Sequence, residues 1–388
     1  MLAMVSDYRA INNQLIGLIT TILTIFHLMT IGGIRCDVLE RKTKNCLFFF
    51  LIYYTITSLF EFDFRSWVSS FMILIIVITP FFLCKYVKRN TVLMKSIVIS
   101  FFLIWGVFVV LCYKTCSEIP DLARMMTSDR RSFIYILNGG GYPMGYGCAI
   151  LVTYLYNLLI FNKIRGFALN LFAISGIIFM IITVLVINSF IILLSMLVGI
   201  IVSTINRISS ISGSKIISYM LFLFIFIIFC FNIRGILNFL IEHTENDFWS
   251  KRWTETYASV VLGQNSNHVD TRNYVYQVSI DGFCKSPIVG NGYKFGNIFE
   301  KDNMVWVGNH STFWDTLAQF GLIGGIPLFV FLLYPLRRAR KDGEDLVYLL
   351  PFYIMLCLNP VLNCYHVMLI IYLIIPCLQK LINTDNIC

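Results

Sequence analysis

Apolar runs of about 17–25 residues, the length that crosses the hydrocarbon core of a bilayer, recur along the whole chain and restrict its architecture. They fall at 11–31, 46–62, 66–84, 92–113, 143–161, 167–187, 188–205, 216–240, 313–335, 345–362 and 363–380. Two boundaries divide stretches too long for one crossing. The first is placed near Asn188-Ser189, inside 167–205. The second is placed near Asn359-Pro360, inside 345–380, because Pro removes a backbone donor and interrupts a helix. The expectation is an all-α chain, one polytopic transmembrane domain over 1–388 with about 11 helices, in the range of roughly 10–12. Composition agrees: 58% of the residues are hydrophobic and 13% charged, more apolar surface than a soluble domain can hide.

The formal charge of +9 raises the question of nucleic acid, but the cations form no basic face or basic helix. Half of them sit in alternate short connections. Arg35, Arg41, Lys42 and Lys44 are in the first connection, and Lys85, Lys88 and Arg89 in the third. Lys163 and Arg165 are in the fifth, Arg207 and Lys215 in the seventh, and Arg337, Arg338, Arg340 and Lys341 in the ninth. Positive residues favour the cytoplasmic side, so the odd connections are expected inside, with the N-terminus outside and the C-terminus inside. Two longer segments then fall outside, a first outer loop at 114–142 and a large one at 241–312. The cysteines lie mostly inside apolar runs, where Cys behaves as a small hydrophobe. Cys112 and Cys116 are near neighbours with no second pair, so neither a metal site nor a disulfide framework is expected.

Chemistry-bearing residues concentrate in the outer segments. His310 closes the large loop just before an apolar span, which places an imidazole where a wet loop enters a membrane. A lone His there also serves as a cap or an interfacial polar group. Arg130 and Arg131 precede Asn138-Gly139-Gly140-Gly141-Tyr142-Pro143, and Arg252 and Arg272 lie in the large loop. Outward arginines run against the positive-inside bias, and a planar guanidinium pairs bidentately with phosphate. Each of them can equally pair with Glu118, Asp121, Asp129 or Asp270. Phosphate-loop and dinucleotide motifs are missing from the sequence, as is an outward Asp-x-Asp pair, so a nucleotide-sugar donor is poorly supported.

The stretch Asn309-His310-Ser311-Thr312-Phe313-Trp314-Asp315-Thr316-Leu317-Ala318-Gln319-Phe320-Gly321-Leu322-Ile323-Gly324-Gly325 resembles a His-bearing motif of the O-antigen polymerase/O-antigen ligase superfamily. Arg272-Asn273-Tyr274-Val275-Tyr276 and Ser286-Pro287-Ile288-Val289-Gly290-Asn291-Gly292 look like the same family's upstream R-x-x-x-[WY] and P-[LI]-x-G-x-G patterns. The match covers about 60 residues. Where many members carry Ser-Arg entering a middle helix, this chain has Asn188-Ser189-Phe190, and the family commonly has one more helix.

The resemblance implies a GT-C-like, multi-pass glycosyltransferase of a bacterial inner membrane that uses no metal, nucleotide or other cofactor. Its donor would be a glycan on undecaprenyl pyrophosphate. His310 would act as general base or acceptor-orienting group, and Arg272 would hold the departing pyrophosphate. Arg130, Arg131, Arg252, Tyr274 and Asn309 would bind substrate. The expected activity is polymerisation of surface-glycan repeat units on the periplasmic face, beside a flippase and a chain-length regulator as partners. The alternative inside the same family is ligation of finished glycan to lipid A–core. A lipid-linked oligosaccharide flippase is a further alternative, which internal repeats and midplane polar residues would favour and which the sequence lacks.

Overall fold

The computed structural model describes residues 38–59, 78–118, 141–187, 189–212, 215–244, 247–262, 267–292, 307–308, 310–341 and 346–385. Every regular element among them is helical. In chain order they are α1 (Val38–Leu59), α2 (Ile78–Val87), α3 (Thr91–Glu118), α4 (Tyr142–Ile160), α5 (Phe167–Val186), α6 (Phe190–Ser212) and α7 (Lys215–His243). They continue with α8 (Asp247–Val260), α9 (Asn267–Lys285), α10 (Thr312–Leu332), α11 (Tyr334–Lys341), α12 (Leu349–Leu358), α13 (Tyr365–Leu369) and α14 (Ile375–Asp385). Among the described residues six helices are long and apolar enough to cross a membrane, the pattern of a polytopic membrane protein. The apolar run 11–31 and the segment 119–140 lie outside the described residues.

Burial separates inner helices from lipid-facing ones. Residues 367–375 are buried all round, as the centre of a bundle requires. There α13 passes through a π-helical turn, Ile370–Ile374, into α14. Residues 144–154 of α4 are equally enclosed. By contrast α3 and α5 leave Leu103 and Phe172 each 67% exposed, a surface that suits hydrocarbon and not water. Helix α1 packs along α10, α4 packs on α5 and α6, and α9 lies against α10.

Both boundaries placed from sequence hold. Helix α5 ends at Val186 and α6 begins at Phe190. Helix α12 ends at Leu358, Asn359 is extended, a 3-10 turn covers Val361–Asn363, and the chain re-enters helix at Tyr365. The stretch 241–312 departs from a plain loop, because it contains α8 and α9. These helices escape a hydropathy reading because they are polar on most faces.

The basic connections gather at one end of the bundle. Glu40 on α1 pairs with Lys85 at 3.2 Å and with Arg338 at 3.4 Å, which joins the first, third and ninth connections. Lys380 near the C-terminus donates to the Lys88 carbonyl. Lys163 and Arg207, from the fifth and seventh connections, both lie over the Phe161 ring. A small cavity lined in part by Lys163, Tyr348 and Gln379 places the fifth connection beside the residue that precedes Lys380.

Candidate active site

At the other end of α10 the His310 stretch is tied to two neighbouring helices. Ser311 is the N-cap of α10: its Oγ accepts from Trp314 N at 3.2 Å and donates to the Cys357 carbonyl at 2.6 Å. Asp315, one turn into the helix, returns the contact by accepting from Ser311 N at 3.0 Å. This is a reciprocal cap like a capping box but with the carboxylate one position later, and it supplies partners for amides that a helix start otherwise leaves unpaired. Thr312 Oγ1 donates to the Asn359 carbonyl at 3.0 Å and accepts from Val361 N at 2.8 Å. The groups freed where α12 stops are therefore taken up by the start of α10. Tyr276 of α9 adds a bond from its hydroxyl to the Leu358 carbonyl, 3.0 Å.

His310 projects from this knot and is exposed. Its Nδ1 lies 2.8 Å from the Gly308 carbonyl. A carbonyl only accepts, so Nδ1 carries the hydrogen and, in the neutral ring, Nε2 carries the lone pair. Gly308 is pressed onto α9: a Cβ there would stand 1.9 Å from the Val275 carbonyl oxygen, and Gly308 N donates to Ser279 Oγ at 2.8 Å. Ser279 in turn donates to Asp315 Oδ1 at 2.7 Å. The buried Asp315 carboxylate thus has a hydroxyl and an amide as donors, the condition under which a buried charge is tolerated.

Below this knot α10 is broken at Gly321, whose φ is 57° and ψ −160°. The residues Pro287–Gly292 fill the break. Leu322 N and Ile323 N donate to the carbonyls of Pro287 (2.8 Å) and Ile288 (3.0 Å). Asn291 N and Gly292 N donate to the carbonyls of Ala318 and Gln319, both at 2.9 Å. The Asn291 side chain bonds the Gly282 carbonyl, and Tyr53 of α1 donates to the Val289 carbonyl. Gly290 (φ 82°) and Gly321 sit backbone to backbone: a Cβ on either would approach within 2.3–2.4 Å of a carbonyl oxygen of the other segment. Two of the three segments that carry the resemblance, Ser286–Gly292 and Asn309–Gly325, are thus physically one unit. The loop joins α10 nine residues beyond its start, about 13 Å along the helix. Irregular backbone at that depth persists where the protein satisfies its polar groups, as here.

The other expected site residues fall in several places. Arg272 is on α9, four residues before Tyr276 and seven before Ser279, so its backbone shares their stripe about 10 Å further along the axis. Its side chain, like that of Arg252 on α8, lies outside the described residues. Arg130, Arg131 and Asn309 also lie outside them. Tyr274 is 54% exposed and sits about 140° around α9 from Ser279, on a different face. The network residues Ser279, Gly308 and Asp315 received no role from the sequence reading. One signal was available: Asp315 is the one charged residue between Thr312 and Tyr334, and a charge inside an apolar span calls for a reason.

Of the other described histidines, His243 pairs its Nδ1 with the Phe239 carbonyl at 3.0 Å and stacks on that ring, a local helix contact. His366 is packed against Trp105 inside the bundle. No family model matches the chain, and no curated protein gives a significant match.

Proposed function

We propose that the chain is a lipid-donor glycosyltransferase that polymerises surface-glycan repeat units, a GT-C-like protein with about 11 membrane helices. The observation that carries the reading is His310. It is an exposed imidazole held through Nδ1, which puts the lone pair of the neutral ring on Nε2, at the end of α10 away from the basic connections. A greasy donor with a polar head meets a group of that kind at the membrane surface. The resemblance to the O-antigen polymerase/O-antigen ligase superfamily supplies the reaction.

In that reaction the acceptor sugar hydroxyl gives its proton to His310 Nε2 as its oxygen attacks the anomeric carbon of the donor. The bond from that carbon to the pyrophosphate oxygen breaks, and undecaprenyl pyrophosphate leaves with the electron pair. Arg272 would stabilise the departing negative charge, with Arg130, Arg131 or Arg252 beside it and Asn309 and Tyr274 on the sugars. A flippase-type mechanism gains little from the break in α10. Leu322 N, Ile323 N and the carbonyls of Ala318 and Gln319 all have partners in the Pro287–Gly292 loop, so these half-helix ends are not available to a cargo ion or head group.

The test is glycan length in cells of the source bacterium. Replacing the wild-type chain by His310→Ala should leave the protein inserted but yield surface glycan one repeat long. Long-chain glycan of normal distribution would overturn the reading. Uncapped core together with stranded long lipid-linked glycan would identify a ligase instead.

A further inference from the structure

We propose that Ser279 and Asp315 are positioning residues for His310, acting through the Gly308 peptide to hold the imidazole in one tautomer and one direction. The inference rests on His310 serving as the base, as proposed above.

The argument lies in how one hydroxyl is used. The hydrogen of Ser279 is committed to Asp315 Oδ1 at 2.7 Å, so toward Gly308 N its oxygen acts as acceptor, at 2.8 Å. The carbonyl of the same glycine then receives His310 Nδ1–H at 2.8 Å. On the far side of His310, the other oxygen of the same carboxylate takes Ser311 N at 3.0 Å. One buried carboxylate therefore fixes the backbone two residues before the imidazole and one residue after it. Gly308 is in addition seated directly on the Val275 carbonyl, so it has little room to turn.

Capping of α10 explains Ser311 and Asp315 but not Ser279. A cap needs no hydroxyl from α9, and none of the four amides at the start of α10 is bonded to it in this arrangement. What Ser279 adds is a fixed orientation for the carbonyl that selects the His310 tautomer. Outer partners of this kind are what keep a functional imidazole in register.

The experiment uses the full-length protein in nanodiscs, with an undecaprenyl-pyrophosphate-linked repeat unit as substrate and two readouts. The first is kcat and KM for transfer. The second is carbethoxylation of His310 by diethyl pyrocarbonate, resolved by peptide mass spectrometry. Ser279→Ala should lower kcat on the order of 10- to 100-fold, with KM for the lipid donor little changed, and should alter the His310 labelling rate. Ser279→Thr, which keeps the hydroxyl, should recover most of both. Ser279→Cys, similar in size but a weak donor and acceptor, should fall with Ala and serves if Ala impairs folding. In a His310→Ala background the Ser279→Ala loss should vanish, since residues that act as a unit are not additive.

Wild-type kcat together with wild-type labelling in Ser279→Ala would overturn the proposal. So would a full Ser279→Ala loss that persists without His310. If the wild-type protein transfers no glycan at all, the functional reading fails separately, and the labelling arm still decides whether Ser279 holds His310.

Discussion

At the scale of single residues, glycine decides whether the site can exist. Gly290 and Gly321 both have positive φ, and each faces the other's segment at a distance that excludes a side chain. Gly290→Ala or Gly321→Ala should therefore destabilise the protein by about 1–3 kcal/mol from backbone conformation alone, with the clash added. Thermal unfolding in detergent measures this. Gly106→Ala, where a Cβ meets nothing within 4 Å, should leave the midpoint unchanged or raise it slightly. Equal losses at all three positions would contradict the packing described. Sequence showed both motif glycines but not their contact. A Gly inside an apolar run reads equally as a tolerated helix residue, a packing site or a break. The partner that distinguishes these lies about 30 residues away in the chain.

At the scale of elements, the site is a junction of helix ends. The start of α10 takes up backbone groups freed past the end of α12, α9 adds the Tyr276 hydroxyl, and Thr312 serves two of those backbone groups at once. Thr312→Val keeps the shape but removes the hydroxyl's bonds to the Asn359 carbonyl and from Val361 N, an amide that keeps a second bond to the Asn359 carbonyl at 2.9 Å. It should cost about 1–3 kcal/mol, the net worth of two hydrogen bonds at roughly 0.5–1.5 kcal/mol each, read as a drop in the same unfolding midpoint. An unchanged midpoint would mean that the junction is not coupled in this way. The break after Leu358 was legible because Asn359-Pro360 interrupts an apolar run. The involvement of α9 was not, because a helix that buries Val275, Ser279 and Gly282 while exposing Asn273, Tyr274 and Gln277 looks like loop to a hydropathy reading. A hydropathy reading places the Pro287–Gly292 loop outside for the same reason, whereas it lies against the middle of α10.

At the scale of the whole molecule, the alternation of basic connections was the most informative reading of the sequence, since length and charge bias survive without knowledge of packing. The contacts of Glu40, Lys88 and Phe161 bring those connections to one end, and His310 stands at the other. In a background without reactive cysteines, Gln277→Cys should react with an impermeant maleimide in intact cells, and Arg337→Cys only after permeabilisation. Matching reactivity at both positions would contradict this two-ended arrangement. The central claim is that His310 is the base of a lipid-donor glycosyl transfer, and the direct measurement is the rate of glycosidic bond formation by purified protein. With an undecaprenyl-pyrophosphate-linked repeat and a chelator present, wild type should form dimers and longer products, while His310→Ala should be slower by roughly 10²–10⁴-fold at an unchanged unfolding midpoint. Equal rates for the two proteins would contradict the account.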